Sequence, residues 1–511
     1  MPDPTIRALA PLLLLFILGA SPAWAAGSKV DAAGVAREWR EANEQAIIDD
    51  YVRLLSIPNV AADTGNIRRN ADHILGSLKA RRFDARLLES PGSPPAVFAE
   101  RKSPGATTTL MIYVHYDGQP ATAEGWASPP WTPVLRDAPV EQGGKVIPIK
   151  APFNPESRLF ARSASDDKAP IAALLAAIDS LDANAIPLSV NLKLFFDGEE
   201  EAGSPHLADM LAAHRDLLGA DLWLFCDGPT HQTRRPLLSY GVRGSYGLNM
   251  TVHGPSRPLH SGHYGNWAPN PIMGLVELIH SMRNEAGEIL IAGYSDQVRP
   301  PTLPELEAIA AAPDVDAQLK AELGLGRTET EDRIELAILR PALNLRGIRS
   351  GDVGEQSRNS IQTSATASID FRLVPDQTTE FVRAAVEKHI RGQGYFIVNE
   401  PPTAEERSSH ARVVELEWDE AGYPSYRTPL DMPIAKKVAA IINELSDGRL
   451  VQLPTMGGSL PLYVIDEALG APIITLPIAN HDNNQHGNNE NIRLQNLWDA
   501  IEIYATVLTR L

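Results

Sequence analysis

Cysteine occurs once in 511 residues, at Cys226. No disulfide can form within the chain, so stability has to come from the buried core. Set at the end of the apolar run Leu222–Phe225, that thiol reads as buried and inert. Basic residues are in deficit too: 46 Lys and Arg against 64 Asp and Glu leave a net charge of −18. That balance disfavours nucleic acid and anionic lipid as partners, and it suits a site that attracts cations. No apolar run is long enough to span a membrane. The stretch 8–18 is apolar but short, follows Arg7 and precedes the small-x-small triplet Ala23-Trp24-Ala25. This pattern predicts a leader over 1–25, cleaved near Ala25, and hence an exported chain, periplasmic or secreted. Repeats and low-complexity tracts are absent. With 43% hydrophobic and 22% charged residues the composition is that of an ordinary globular chain, long enough for two domains.

What is present is an alternation of strands and helices. Apolar stretches at 107–114, 188–196, 220–226 and 472–477 read as strands. Helical spacing covers 30–55, 71–83, 170–181 (with Pro170 in its first turn), 434–445 and 494–511. This predicts an α/β fold with a mixed, largely parallel sheet, in which ligands bind at the carboxyl ends of strands. Around 241–247 the texture changes to an alternating strand with no acid at its end. The segment from there to about 427, with a charged helical stretch at 305–337 and a strand at 365–373, reads as an inserted α+β unit.

The chemistry gathers at strand ends. The 188–196 strand runs into Gly198 and then Glu199-Glu200-Glu201. Adjacent acids at a buried strand end repel unless a positive charge stands between them. The same arrangement recurs: His115 and Asp117 close one strand, Asp227 another, and His486 follows a fourth beyond Pro477. Imidazole and carboxylate are ligands for zinc and for harder divalent metals. Two histidines and three acids can hold two metal ions if one carboxylate bridges, and such a pair activates water near neutral pH. A further, metal-free carboxylate must then move the proton, which gives a reason for Glu200 and Glu201 side by side. One at a time these residues have plainer readings. His115 fits a core histidine, and Asp117 and Asp227 fit turns before glycine. Asp167 or Ser165 fits an N-cap, and His481 and His486 fit a solvated Asn-rich loop. A serine hydrolase fits less well, because Gly457-Gly458-Ser459 lacks the G-x-S-x-G pattern.

Taken together the motifs resemble the M20 metallopeptidase family, and within it the carnosinase-like branch. They are HYDGQPA at 115–121, EGWASPPWTP at 124–133, SDDKAP at 165–170, GEEEAGS at 198–204, LHSGHYG at 259–265, FRLVPDQ at 371–377, GGSLP at 457–461 and HGNNEN at 486–491. The resemblance implies two divalent ions, zinc first, with manganese or cobalt as alternatives. His115 and Asp227 would bind one, Glu201 and His486 the other, and Asp166 would bridge. Glu200 would be general base and acid, with Asp117 orienting His115. His486 is preferred to His481 because Gly-Asn-Asn-Glu follows it. The resemblance further implies that His260 stabilises the oxyanion, commonly across a dimer, and that Arg372 grips the substrate carboxylate. Asn359, Gly458 and Ser459 would contact substrate. The expected division is a leader at 1–25, a catalytic domain at 26–243 and 428–511, and a lid and dimerisation domain at 244–427. The expected protein is an exported, homodimeric peptidase for dipeptides or short peptides with a free carboxylate. The alternatives are an acyl-amino-acid deacylase on the same site and a catalytically silent binding protein. Several positions depart from the family's usual glycines and valine: Val114, Gly118, Ala161, Ser163 and Ala169.

Overall fold

Four apolar strands, Asn191–Asp197, Thr109–His115, Leu222–Phe225 and Ile473–Thr475, run parallel and side by side. They form the middle of an eight-stranded sheet in this computed structural model, which describes residues 31–420 and 422–511. The expected leader at 1–25 lies outside the described residues. On one side the sheet continues through Ala96–Arg101 and Asp84–Leu88, both antiparallel to their inner neighbours. On the other it continues through Leu237–Ser239 and Val451–Leu453. The mixed, largely parallel sheet is therefore as expected.

Why these strands lack polar alternation is plain from what covers them. Met111 and Tyr113 turn to one face, where they join Phe195, Trp223 and Phe225 under the helices Leu207–Ala213 and Leu462–Leu469. Leu110, Ile112 and Val114 turn the other way, toward a layer of three mutually packed helices, Ala32–Leu55, Lys168–Ala183 and Leu494–Arg510. Each such buried side chain contributes roughly 1.5–3 kcal/mol by leaving water. Cys226 is buried in this core, where burial pushes its thiol well up, so the inert reading holds. Among the described residues no helix is long and apolar enough to cross a membrane.

Two helix boundaries differ from the pattern. The helix expected at 71–83 spans Thr64–Ala80, two turns earlier, because Asp63 caps it by accepting from the Asn66 N–H at 3.1 Å. The 305–337 stretch breaks into Leu303–Ala311, Asp316–Glu322 and Ile334–Ala337, interrupted by Pro313, Gly324 and Gly326.

A second, five-stranded sheet is built entirely from residues 244–418. Its long central pair, Gly244–His253 with Ser364–Leu373, is antiparallel over ten residues. Only one face is buried, under the helices Pro271–Met282 and Thr379–Gly392, hence the alternation visible in the sequence. The chain enters and leaves this unit through the short pair Gly241–Val242 and Tyr426–Arg427. Crossing there requires glycine: a Cβ on Gly241 would stand 2.2 Å from the Tyr426 carbonyl oxygen, and one on Gly244 2.3 Å from that of Tyr423.

The helical segment 303–338 returns from this unit to the edge of the large sheet. Ala312 packs with Leu237 and Val451. Glu305 pairs with Arg427 at 3.0 Å, both side chains 4% exposed. Arg333 donates to the carbonyls of Ile309, Ala312 and Pro313 at 3.0–3.2 Å, closing the end of Leu303–Ala311 and tying Ile334–Ala337, which it precedes, to it.

Candidate metal centre

Every acid or histidine anticipated at a strand end arrives at the carboxyl edge of the four parallel strands. His115 is the last residue of its strand and fully buried. Its Nε2 lies 2.8 Å from Asp166 Oδ1 and 3.9 Å from both Glu200 Oε2 and Asp227 Oδ2. Its Nδ1 lies 3.3 Å from Asp117 Oδ1. Asp117 also accepts the N–H groups of Glu200 and Glu201 at 3.1 and 3.0 Å. One buried carboxylate thus aims the imidazole and fixes the turn that carries both glutamates. From the other side His486 Nε2 lies 3.1 Å from Asp166 Oδ2 and 3.2 Å from Glu201 Oε2. The two oxygens of Asp166 therefore face two different histidines.

Two clusters result whose donor atoms lie within 4.8 Å of one another: His115 with Asp167 and Asp227, and Asp166 with Glu201 and His486. Six carboxylates, Asp117, Asp166, Asp167, Glu200, Glu201 and Asp227, surround two imidazoles. Burial pushes Asp117 up to about 6 and Asp227 up to about 7, and it holds Asp167 and Glu200 well above the usual carboxylate range. Conversely, hydrogen bonds donated to the Asp166 and Glu201 carboxylates push His486 up to about 10. Buried acids gathered this closely call for positive charge between them, and Asp167 Oδ1 is buried without a hydrogen-bond partner. The donor set, oxygen and imidazole nitrogen in two adjoining groups, fits two divalent ions.

Asp167 is the first correction to the capping reading. It occupies the N-cap position of Lys168–Ala183 but makes no side-chain cap bond, and instead accepts the His115 N–H at 3.3 Å. The pull of the buried histidine strand outweighs a single helix donor.

Glu490, Gln119 and Tyr423 were missed. Glu490 is fully buried and grips the loop that carries Asp166. It accepts from Arg162 Nη1 at 2.8 Å, and at 2.9 Å each from the N–H groups of Ser163, Ser165 and Asp166 and the Ser165 hydroxyl. Gln119 donates to Glu201 Oε2 at 2.8 Å, and Tyr423 lines the cavity while donating to the Gly203 carbonyl at 2.8 Å. Glu490 lies within HGNNEN, yet nothing local separates it from a solvated loop acid, because its partner Arg162 is 328 residues away.

Two departures from the family pattern account for each other. Ser163 stands at φ 60°, where glycine is usual, and its hydroxyl accepts from Asn59 Nδ2 at 2.8 Å. A Cβ on Gly118 would meet that hydroxyl at 2.2 Å. The serine at 163 is accommodated because residue 118 has no side chain.

Asp166, Glu200, Asp227 and His486 open onto a cavity of about 690 Å³ between the two sheets, lined also by Arg372, Gly458 and Ser459. Arg372 Nη1 donates to Ser459 Oγ at 3.2 Å and its Nε to Asp370 at 2.8 Å. His260 and Asn359 are not brought in. They sit exposed on the ribbon formed by Leu259–His260 and Ser360–Ile361, where the Ser261 N–H donates to the Asn359 carbonyl at 3.0 Å.

Comparison with known proteins decides the family: the model of peptidase family M20/M25/M40 matches residues 111–510. The chain belongs to the M20 peptidase family. It is accordingly a metallopeptidase, a hydrolase of peptide bonds. This M20 peptidase is 27% identical over 487 residues to the Cys-Gly metallodipeptidase dug1 of Schizosaccharomyces pombe, covering 91% of this chain and 96% of the relative. It is 25% identical over 419 residues to the human Beta-Ala-His dipeptidase, covering 80% and 75%. An M20 family metallo-carboxypeptidase from Sulfolobus solfataricus superposes with a TM-score of 0.71 at 25% identity, over 91% of this chain and 98% of that one. Human carnosine dipeptidase 1 gives 0.71 at 19% identity over 94% and 99%, a likeness of fold. The expectation of export is overturned by the relatives: the Dug1 metallodipeptidases that this chain matches are cytosolic enzymes. An apolar stretch of 11 residues behind one arginine, 8–18 after Arg7, carries too little charge asymmetry to specify an address.

Proposed function

We propose that this M20 peptidase hydrolyses dipeptides and short peptides bearing a free C-terminal carboxylate. The observation that carries the reading is that Asp166, grouped with Glu201 and His486, turns its other oxygen to His115 of the second cluster, while Glu200 faces the same cavity and belongs to neither. Two divalent ions, zinc before manganese or cobalt, held by His115 with Asp227 and by Glu201 with His486 and sharing Asp166, would polarise the scissile carbonyl and ease deprotonation of the attacking water. Glu200 takes the proton from that water and delivers it to the leaving amine. Burial raises its carboxyl toward the range such a shuttle needs. Asp117 holds His115 and the Glu200 turn in register. Arg372, steadied by Asp370 and Ser459, receives the substrate carboxylate, and Gly458 and Ser459 lie along the substrate backbone. Segment 244–427 acts as lid and dimerisation domain, closing over the parts at 26–243 and 428–511. Its exposed ribbon then offers His260 as oxyanion donor, with Asn359 beside it, to the site of a second copy.

Metal content per chain, measured with dipeptide hydrolysis before and after chelation, tests the reading. About two equivalents are expected, with activity lost on chelation and restored by zinc or manganese. Protein that stays inactive after both metals are restored would refute it, and faster cleavage of N-acyl amino acids than of dipeptides would make the chain a deacylase. Arg372→Ala is expected to raise KM about tenfold or more for free-carboxylate peptides with little change in kcat. If the parent cleaves amidated and free peptides equally well, the role given to Arg372 fails.

A further inference from the structure

With the substrate carboxylate at Arg372 and the scissile bond at the metal clusters, the N-terminal residue must occupy the rest of the cavity. One side of that remaining wall is apolar. Leu237 and Leu453 come from the edge strands of the large sheet, Met456 from the loop after them, and Ile334 and Ile338 from the helical segment returned by the inserted unit. This wall is built rather than incidental. The Arg333 bonds to three carbonyls, the buried Glu305–Arg427 pair and the Ala312 contact with Leu237 and Val451 all fix the segment on the sheet edge. Met456 is located by its N–H to the Gly241 carbonyl at 2.8 Å, and its methyl group lies 3.2 Å from where a Cβ on Gly228 would be. Ile334 remains 43% exposed although it lines this cavity, so apolar surface is left there for a ligand to cover.

Resting on the dipeptidase reading, we propose that this wall is the side-chain subsite for the N-terminal residue, and that it selects uncharged, apolar side chains such as leucine and methionine. An aliphatic side chain would cover Ile334, Ile338 and Leu453 and displace water from them. A carboxylate would lose its hydration against these isoleucines, beside Glu335, which lines the same wall at 5% exposed. A lysine would lose its hydration against the isoleucines, and Glu335 already has Arg333 Nε 3.3 Å away. Polar neighbours of the cavity include Thr230, Gln232, Thr455, Gln485 and His231, whose Nδ1 accepts the Thr233 N–H at 3.3 Å, leaving its other nitrogen as an uncharged donor. Burial, with Arg235, His481 and Arg333 nearby, pushes its imidazole down to about 4.

The test is kcat/KM for an X-Gly series with X as Gly, Ala, Leu, Met, Asp and Lys, using metal-replete enzyme. Leu-Gly and Met-Gly are expected to exceed Gly-Gly by about tenfold or more, with Asp-Gly and Lys-Gly below Ala-Gly. Ile338→Asp should cut the Leu-Gly to Gly-Gly ratio by about tenfold and raise Lys-Gly relative to Leu-Gly. Ile338→Ala should narrow the same ratio by a smaller factor, and it serves if the aspartate variant does not fold. These ratios do not depend on the fraction of active enzyme. A flat series, a parent preference for Lys-Gly, or ratios unmoved in both variants would overturn the subsite. Absence of hydrolysis for every dipeptide is a different result: it overturns the dipeptidase reading, and this inference with it.

Discussion

Glu200→Gln should bind metal as the parent does and lose turnover by about a thousandfold. The change is nearly isosteric, so the cavity keeps its shape. The Glu200 N–H remains held by Asp117, and the side chain belongs to neither cluster of candidate ligands, so both clusters survive. What disappears is the ability to accept a proton, since an amide oxygen is far too weak a base at neutral pH. Metal equivalents, thermal midpoint and kcat measured on the same preparation separate these effects. Near-parent turnover in a metal-replete variant would sink the proton-shuttle role.

Glu490→Gln is expected to weaken both the fold and the metal centre while replacing no candidate metal ligand. All the donors around Glu490 point inward: a guanidinium, three backbone N–H groups and a hydroxyl. A glutamine at this place turns an NH₂ toward some of them, and it leaves Arg162, 3% exposed at its side chain, without its countercharge. Removing one partner of a buried ion pair costs about 3–5 kcal/mol. The 162–166 loop then loses the anchor that sets Asp166 between the clusters, so metal affinity should fall by about tenfold or more. Denaturant unfolding and metal titration read the two effects separately. Parent-like stability and affinity together would show that the loop is held by something other than Glu490.

These two glutamates show what could be read before the structure. Glu200 was legible because a strand of period-two hydrophobics ran straight into it, and strand ends in parallel sheets collect ligands. Glu490 was not, since its meaning lies in Arg162 and Ser163, which no local pattern links to residue 490. Asp167 misled for a related reason: an acid before Lys-Ala-Pro carries a helix-start signature, whereas the donor that captures it comes from the His115 strand. The inserted unit was visible in the changed texture at 241–247. The docking of its helices on Val451–Leu453 was not, because that contact rests on single residues from distant segments, Leu237, Ala312 and Val451. A short apolar stretch suggested an address for the protein, and it was a poorer guide than the strand ends.

The placement of the strand Ile473–Thr475 has a consequence for how the molecule is made. It lies between Leu222–Phe225 and Leu237–Ser239, so the large sheet has a gap in its interior until that strand exists. The helix Leu494–Arg510, packed on Ala32–Leu55 and Lys168–Ala183, and Glu490, gripping the 162–166 loop, come later still. On the ribosome, more than two hundred residues are therefore added between the first half of the sheet and the strand that completes it. High contact order of this kind makes folding slow and leaves apolar strand edges waiting for their neighbours. It also means that a nascent chain cannot cut peptides. His486 reaches Asp166 only once synthesis has passed the interior strand, so hydrolytic competence waits for that late segment.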